Sequence, residues 1–435
     1  MLIDFTVENY RSIKEPVTLT TIAQSRKSAA IGKESKRRNI IPDNQIAPTF
    51  TVEGRNIELL PVIGIFGANA SGKSNVVNAL DYFLAFIELG SRYEKSRLDS
   101  RWFIPFSLSD TTKEAPTRFK LRVVQESIIF TYTLIFNRTR ILQEKLEHIL
   151  PLPRKMQNRL LFNRIWDEDK VACTIINGKD FGHGYKEIQE SLREHEPFMS
   201  LLARHLKVEV VKPFVSWLSL RLDGVGLGQE LIDYDWTALG LQRNIFGMLE
   251  PVTGMIRRFD TGIAGIEIEA SETENDKESK KFKVWVHHEA DGKQVRWPME
   301  EESIGTQRLF SLAFKILLSL NFGSLLLIDE LGSNIHPNIT RAIVRMFQSE
   351  KTNPKRAQLI FTSHDNTLQR GNLLRRDQIW FTQKREDGST ELYSLSDFRP
   401  RNDLAIDKAY LDGRFGAVPV LPDEEDLLQP AGAAK

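Results

Sequence analysis

The sequence lacks several features that would tie it to an oxidising compartment or to a membrane. Its 435 residues include one cysteine, Cys173, which excludes an intrachain disulfide and a cysteine-based zinc cluster. Residues 1–4 show neither the basic region nor the apolar stretch that opens a signal peptide. The most hydrophobic window, about residues 309–328, contains Lys315 and Asn321 and does not predict a membrane span. We therefore expect a cytoplasmic protein without a membrane partner.

An excess of one charge and a long heptad repeat are also lacking. The formal net charge is +1, which favours no particular polyanionic partner. Basic clusters at residues 26–38 and 154–164 are more typical of solvated loops, so nucleic-acid binding stays open. Apolar residues do not repeat at the a and d positions of a coiled coil, which excludes long coiled-coil arms.

A phosphate-binding loop is the strongest positive signal in the sequence. An apolar run, Pro61 to Phe66, leads into a match to the pattern G-x-x-x-x-G-K-S. The matching residues are Gly67, Ala68, Asn69, Ala70, Ser71, Gly72, Lys73 and Ser74. Glycines at these positions let backbone N–H groups surround phosphate oxygens at the positive end of the following helix. We expect Lys73 to contact the β- and γ-phosphates of ATP and Ser74 to hold Mg²⁺.

Two strand ends later in the chain carry further candidate groups. Residues 325–328 form a short apolar run that ends in the adjacent acids Asp329 and Glu330. Successive strand residues point in different directions, so we expect Asp329 to bind Mg²⁺ and Glu330 to act as general base towards water. The run Gln358 to Ser363 ends in His364, at the strand end where parallel sheets bind ligands.

Polar turns precede and follow the acidic strand. Ser303, Gly305 and Thr306 lie just before an apolar helical stretch, where hydroxyl and N–H groups cap a helix or bind an anion. Ser333 and Asn334 lie in the turn after the acids. Each also has a purely structural interpretation, since serine is a common helix cap and asparagine a common turn residue.

The order of these motifs resembles that of the ABC-type ATPases of the SMC, RecF and OLD group. Residues 5–13 resemble the opening strand of that group. Residues 301–309 and 409–419 resemble the signature turn and closing segment of a narrower set. This set is the compact AAA-family ATPases of bacterial abortive-infection and phage-defence operons, of the AbiL and RloA type. The resemblance covers most of the chain outside roughly residues 138–258.

The resemblance implies a homodimer in which two head domains face each other with two ATP molecules between them. Ser303, Gly305 and Thr306 of one chain would contact the γ-phosphate bound at Lys73 of the other. His364 would contact the γ-phosphate or the attacking water.

The same resemblance implies two further elements. Ser333 and Asn334 would lie at the dimer seam. A glutamine that completes the Mg²⁺ shell is expected after the first lobe, where Gln125 and Gln143 are both available and neither is favoured.

The patterns predict an α/β fold: an ABC-type P-loop head with a mixed sheet flanked by helices, an antiparallel β lobe and a short helical insertion. Hairpins are predicted at residues 3–22, 118–136 and 266–287. The predicted segments are 1–137 for the N-terminal half of the head, 138–258 for a mainly helical insertion and candidate partner surface, 259–421 for the C-terminal half, and 422–435 for a disordered tail.

The function expected from these features is that of an ATP-hydrolysing dimeric switch. It would control a separately encoded effector, a nuclease or toxin, in anti-phage defence, with a phage protein as candidate trigger. The chain shows no nuclease motif, and we expect no OLD-type Toprim domain. Two alternatives remain: a DNA-repair ATPase that clamps DNA, and a scaffold that binds ATP with little turnover.

Overall fold

The computed structural model describes most of the chain. The described residues are 1–24, 49–51, 57–90, 103–150, 157–182, 185, 189–205, 208–219, 234–259, 262–271, 281–290, 292–371, 373–401 and 404–419. Most of the polar loop at 25–49, most of the charged turn at 271–277 and the tail from 422 therefore lie outside the described residues. The helices are α1 (Lys73–Leu89), α2 (Asp110–Lys113), α3 (Phe198–His205), α4 (Lys212–Ser219), α5 (Tyr234–Gln242), α6 (Leu249–Phe259), α7 (Ile304–Phe322), α8 (Pro337–Gln348) and α9 (Ile406–Leu411).

A five-stranded sheet carries both the phosphate-loop and the carboxylate motifs. Its strands are β5 (Val62–Gly67), β14 (Leu325–Ile328), β15 (Gln358–Thr362), β16 (Ile379–Lys384) and β17 (Thr390–Ser394). They lie in the order β14-β15-β5-β16-β17, parallel except for β17. Every residue of β5, β14 and β15 is buried, as expected for parallel strands covered on both faces. The predicted α/β fold is therefore confirmed.

The two faces of this sheet pack against different cores. Ile63 and Ile65 of β5 belong to one cluster of buried residues, whereas Val62 and Phe66 belong to another. Residues of α1 lie in the first cluster and residues of α7 and α8 in the second. Because successive strand side chains alternate between faces, one strand serves both cores and fixes α1 relative to α7.

A seven-stranded antiparallel sheet forms the lobe on the α1 side. Its strands are β1 (Leu2–Glu8), β2 (Val17–Thr20), β6 (Thr117–Gln125), β7 (Ile128–Phe136), β8 (Ile141–Ile149), β9 (Asn158–Asp167) and β10 (Ala172–Asn177), in the order β10-β9-β8-β7-β6-β1-β2. The predicted hairpins at residues 3–22 and 118–136 are confirmed. Phe119 on β6 packs against Phe83 of α1, with ring centroids 4.8 Å apart.

The structure differs from the prediction of mainly helical structure from residue 138. Strands β8, β9 and β10 extend the lobe sheet, so the prediction is wrong for the residues of these three strands. The sequence pattern did not predict these strands because two residues that face the core, Glu144 and Arg164, are charged. Both are fully buried. Glu144 accepts hydrogen bonds from the Tyr132 hydroxyl and from the backbone N–H of Met199, which satisfies the buried carboxylate.

The helices of the predicted insertion divide between the two cores. Residues of α3 and α4 join the cluster of the lobe and α1, whereas residues of α5 and α6 join that of α7. A three-stranded antiparallel sheet of β11 (Ile263–Ser271), β12 (Lys281–Ala290) and β13 (Lys293–Pro298) contributes to the second core and confirms the hairpin predicted there. A short pair, β3 (Phe50–Thr51) and β4 (Glu58–Leu59), completes the described strands. Within the described residues, no helix combines the length and apolar character that crossing a membrane requires.

Candidate nucleotide-binding site

The phosphate loop joins β5 to α1 and has room only for glycine at two positions. A Cβ on Gly67 would lie 2.5 Å from the carbonyl oxygen of Thr382. Gly72 has a φ of +104°, and a Cβ there would lie 2.0 Å from Oγ1 of Thr390. The two glycines of the motif are therefore required both by backbone conformation and by close packing.

Hydroxyl groups from distant segments support the loop from behind. The Ser71 and Thr382 hydroxyls lie 2.7 Å apart, and Thr390 Oγ1 donates to the Ser71 carbonyl at 3.1 Å. The Ser12 hydroxyl lies 2.7 Å from that of Thr390 and accepts from Asn75 Nδ2 at 2.6 Å. Neither Thr382 nor Thr390 was predicted to support the loop, because a threonine in a strand has no local signature of such a contact.

Lys73 is folded into the loop, with 5% of its surface exposed. Its Nζ donates to the carbonyls of Gly67 at 2.9 Å and Ala68 at 2.8 Å. Burial lowers the pKa of Lys73, and the nearby carboxylates of Asp329 and Glu330 act in the opposite direction. The structure therefore brings the predicted phosphate-binding cation next to both predicted acids.

Side chains of Thr362 and Arg308 hold the two acids that follow β14. Thr362 at the end of β15 donates its hydroxyl to Asp329 Oδ1 at 2.5 Å and accepts from the Glu330 N–H at 2.7 Å. Glu330 has a φ of +57°, a left-handed conformation that is uncommon outside glycine. Arg308 on α7, 2% exposed, donates Nη2 to the Glu330 carbonyl at 2.6 Å. Neither Thr362 nor Arg308 was predicted to belong to the site.

His364 follows β15 and is exposed in the single chain. Partial desolvation lowers the pKa of His364, followed by the effect of the Lys73 cation, while Glu330 and Asp329 oppose the shift. The same charged groups thus act on His364 and on Lys73, which places the histidine in one electrostatic neighbourhood with the phosphate loop and the acids.

The predicted signature turn begins α7. Ser303 caps the helix, since its Oγ accepts from the Thr306 N–H at 3.1 Å. A Cβ on Gly305 would lie 2.5 Å from the carbonyl oxygen of Asn334, so the signature turn packs against the predicted seam turn of the same chain. Ser303 and Asn334 are exposed, and Ile304 between the signature residues is 61% exposed. The structure therefore leaves this surface open to solvent in a single chain.

The remaining predicted residues lie close to these turns. The Ser333 N–H donates to the Glu330 carbonyl at 3.1 Å, which connects the seam turn to the predicted base. A pocket of about 180 Å³ opens beside the signature turn and is lined by Phe259, Ser303, Gly305, Thr306, Leu309, Asn334, Ile335, His336 and Ile339. Gln143 donates to Asn163 within the lobe, and the structure does not favour it over Gln125 as the missing glutamine.

These residues fit a nucleoside triphosphate with Mg²⁺. Gly67 and Gly72 have no room for a side chain, so the loop backbone is held close to its supporting strands, and the buried Lys73 cation lies at its base. Ser74 lies half-buried in the first turn of α1, and the Asp329 carboxylate is oriented by Thr362. A hydroxyl and a carboxylate are oxygen ligands of the kind that Mg²⁺ prefers.

Comparisons with known proteins place the chain in a family. One similar solved structure is an SMC head bound to the C-terminal winged-helix domain of ScpA, with 13% identity, a TM-score of 0.44, and coverage of 94% of this chain and 99% of that one. Another is the Pyrococcus furiosus SMC head with an extended coiled coil bound to the C-terminal domain of ScpA, with 11% identity, a TM-score of 0.39, and coverage of 95% and 98%.

At these TM-scores the two similarities add nothing to the assignment. No curated protein matches the chain. A family model matches residues 62–196 and 242–369, which is more than half of the chain and includes the phosphate loop, the signature turn, the acids and His364. The predicted relationship to AAA-type ATPases is confirmed, and the chain belongs to the family described as "AAA domain, putative AbiEii toxin, Type IV TA system".

Proposed function

We propose that this protein binds ATP with Mg²⁺ and hydrolyses the bond between its β- and γ-phosphates, giving ADP and phosphate. One observation carries the proposal: the four predicted catalytic and phosphate-binding side chains follow the carboxyl ends of neighbouring parallel strands. Lys73 follows β5, Asp329 and Glu330 follow β14, and His364 follows β15, and their charges act on one another. This is the edge at which parallel sheets bind ligands. Lys73 binds the phosphates, Glu330 takes the proton of the attacking water, and His364 orients the water or the γ-phosphate.

The proposed reaction uses one Mg²⁺ ion bound beside the phosphates. Ser74 and Asp329 would hold the ion, which supplies charge neutralisation on the phosphate oxygens when bound. Purified protein should release phosphate from ATP in the presence of Mg²⁺ and lose that activity when EDTA removes the ion. Phosphate release that is unaffected by EDTA, or absent under all conditions, would contradict the proposal.

We also propose that the signature turn acts on the nucleotide of a second chain. The exposed hydroxyl of Ser303 and the exposed Asn334 support this, because both lie on a surface that a single chain leaves open. Light scattering should show a dimer with ATP and a monomer with ADP. A chain that stays monomeric with ATP while hydrolysing it would show that one protomer suffices.

The output of the switch is proposed to be control of a separately encoded nuclease or toxin in phage defence, with a phage protein as trigger. The family description, which names a toxin–antitoxin system, supports the defence part of this proposal. We place the partner-specific surface within residues 138–258, a range that includes residues 197–241, which the family model leaves unmatched. ATP can change how much partner is bound only if the partner binds the open and closed heads with different affinity.

Co-purification with the product of the neighbouring gene tests this output. The partner should be retained by the protein and its affinity should differ between the ATP and ADP states. Protection of cells against phage by the ATPase alone, with the neighbouring genes removed, would contradict a separate effector.

A further inference from the structure

The signature turn is connected to the three-stranded sheet by a short segment. Strand β13 ends at Pro298, a single turn of 3₁₀ helix spans Met299–Glu301, and Glu302 directly precedes the helix cap Ser303. Met299 is fully buried. The position of the signature turn therefore depends on how this segment is held.

Two side chains from the sheet hold the Glu302 carboxylate. Trp297 donates its indole N–H to Glu302 Oε1 at 2.6 Å, and His288 Nε2 lies 2.6 Å from the same oxygen. The His288 and Trp297 rings stack with centroids 4.0 Å apart and an interplanar angle of 14°. The carboxyl side chain is 11% exposed. Because an indole only donates and a carboxylate accepts, the bond from Trp297 to Glu302 has one direction.

The backbone of Glu302 is held from the helix side as well. Gln307, in the first turns of α7, donates Nε2 to the Glu302 carbonyl at 2.8 Å and lies 3.0 Å from the Glu300 carbonyl. Glu302 is thus bonded to the sheet through its side chain and to the signature helix through its carbonyl. Hydrogen bonds to an ionised group are about twice as strong as neutral ones, so the side-chain contacts constrain this residue most.

The outer face of the same sheet offers a natural comparison. Trp285 on β12 donates its indole N–H to Glu269 at 2.7 Å, but this pair is exposed. Its ring is flanked by Lys283 and Arg296 at 4.2 and 4.6 Å, and neither residue bonds to the signature segment. The sheet therefore contains two tryptophan–carboxylate bonds of similar length, one of which reaches the residue before the signature.

We propose that Glu302 is a positioning residue for the signature turn, held by Trp297 and His288, so that the β11–β13 sheet sets where Ser303 meets the nucleotide of a second chain. This inference rests on the proposed function in one respect, namely that the signature turn acts on the partner's site. A protein bound to the exposed face of this sheet could then alter the signature turn without touching the nucleotide.

The test compares Trp297→Phe with Trp285→Phe. Each substitution keeps an aromatic ring and removes one indole N–H bond to a carboxylate. Trp297→Phe should raise amide hydrogen exchange at residues 303–308 and lower ATP-driven dimerisation and kcat by roughly tenfold, with unchanged ATP affinity of the monomer. Trp285→Phe should leave all of these unchanged. Glu302→Gln, whose amide oxygen still accepts, should retain more activity than Glu302→Ala.

Mixing with Lys73→Ala chains separates a signature role from a general structural one. A heterodimer with Trp297→Phe contains one site with an intact phosphate loop and an intact signature, so it should recover the turnover of that site. Equal behaviour of the two tryptophan variants, or no recovery in heterodimers that are shown to form, would overturn the proposal.

If the proposed function were wrong, the measurements would differ from those that contradict the role of Glu302. Wild-type protein would then neither release phosphate nor dimerise, and hydrogen exchange in the nucleotide-free chain would still decide whether Trp297 holds the turn. If Trp297→Phe failed to fold by circular dichroism, the comparison of Glu302→Gln with Glu302→Ala would decide the same question.

Discussion

The two halves of the candidate site differ in how far a single chain completes them. In the phosphate-loop half, Lys73 is 5% exposed and bonded within the loop, and Asp329 is oriented by Thr362. In the signature half, Ser303 and Asn334 are exposed. Both halves include the N-terminus of a long helix, α1 or α7, so their local structure is alike.

The difference lies in what surrounds the two helix starts. The phosphate loop is enclosed by β16, β17 and the turn at Ser12, which supply its hydrogen bonds from within the chain. At the signature turn, Gly305 packs against the Asn334 carbonyl and Gln307 donates to the Glu302 carbonyl. The proposed function therefore predicts that the preformed half binds nucleotide within one chain, whereas the open half needs a second chain.

The largest effect is expected for Lys73→Ala. Removing the only side-chain cation of the loop motif leaves backbone dipoles alone on the phosphates, so ATP binding and turnover should both be abolished. Titration calorimetry measures the loss, with the exposed Lys351→Ala as matched control. Unchanged ATP affinity in Lys73→Ala would show that the phosphate loop does not bind nucleotide.

Glu330→Gln should separate binding from turnover within the preformed half. Only the proton acceptor is lost, so kcat should fall by roughly 10²–10⁴ while ATP still binds and ATP-bound dimers accumulate. Phosphate release and light scattering measure the two effects, with the exposed Glu350→Gln as control. Wild-type turnover in Glu330→Gln would mean that another group activates the water.

Ser303→Arg addresses the open half. A bulky cation at the exposed helix start should weaken ATP-driven dimerisation by roughly tenfold or more and leave ATP binding by the monomer intact. Exposed Ser216→Arg on α4 serves as control. Heterodimers of Ser303→Arg with Lys73→Ala should regain the activity of one intact site, and heterodimers that form without recovery would place the signature in the same chain as the nucleotide.

The smallest effect is expected for Thr390→Val, which removes a support behind the phosphate loop. The hydroxyl bonds to Ser12 and to the Ser71 carbonyl, so its loss should lower the free energy of unfolding by about 1–2 kcal/mol and ATP affinity a few-fold. Thermal unfolding and calorimetry measure both. The exposed hydroxyl pair of Thr6 and Thr18 offers the control Thr6→Val, which should change stability by less than about 0.5 kcal/mol. Equal effects of the two substitutions would show that the support is energetically unimportant.

Much of the site could be predicted because its motifs are local. The pattern from Gly67 to Ser74 specifies a loop by glycine conformation and a helix start, and these depend only on neighbouring residues. The strand before Asp329 is an unbroken apolar run because parallel strands are buried on both faces. The positions of these motifs in the fold agree with the predicted order.

The antiparallel lobe contains strands that the sequence patterns did not predict. Strand β9 was missed because the inward-facing Arg164 interrupts the apolar alternation by which strands are recognised. Its guanidinium is accommodated by the carbonyls of Glu196 and Arg193, which come from another segment of the chain. A buried charge of this kind is stable only in the complete fold, so its pattern could not be interpreted locally.

The chemical groups of the candidate site and their order along the chain follow from local sequence patterns, because glycine conformation, strand burial and helix starts are local properties. The fold adds the hydroxyls that support the phosphate loop, the bond from Arg308 to the Glu330 backbone, and the contacts of Trp297 and His288 with Glu302. Thr390 and Ser71 are 319 residues apart in sequence. Contacts between such distant residues depend on how the sheets and helices pack, which no local pattern of residues records.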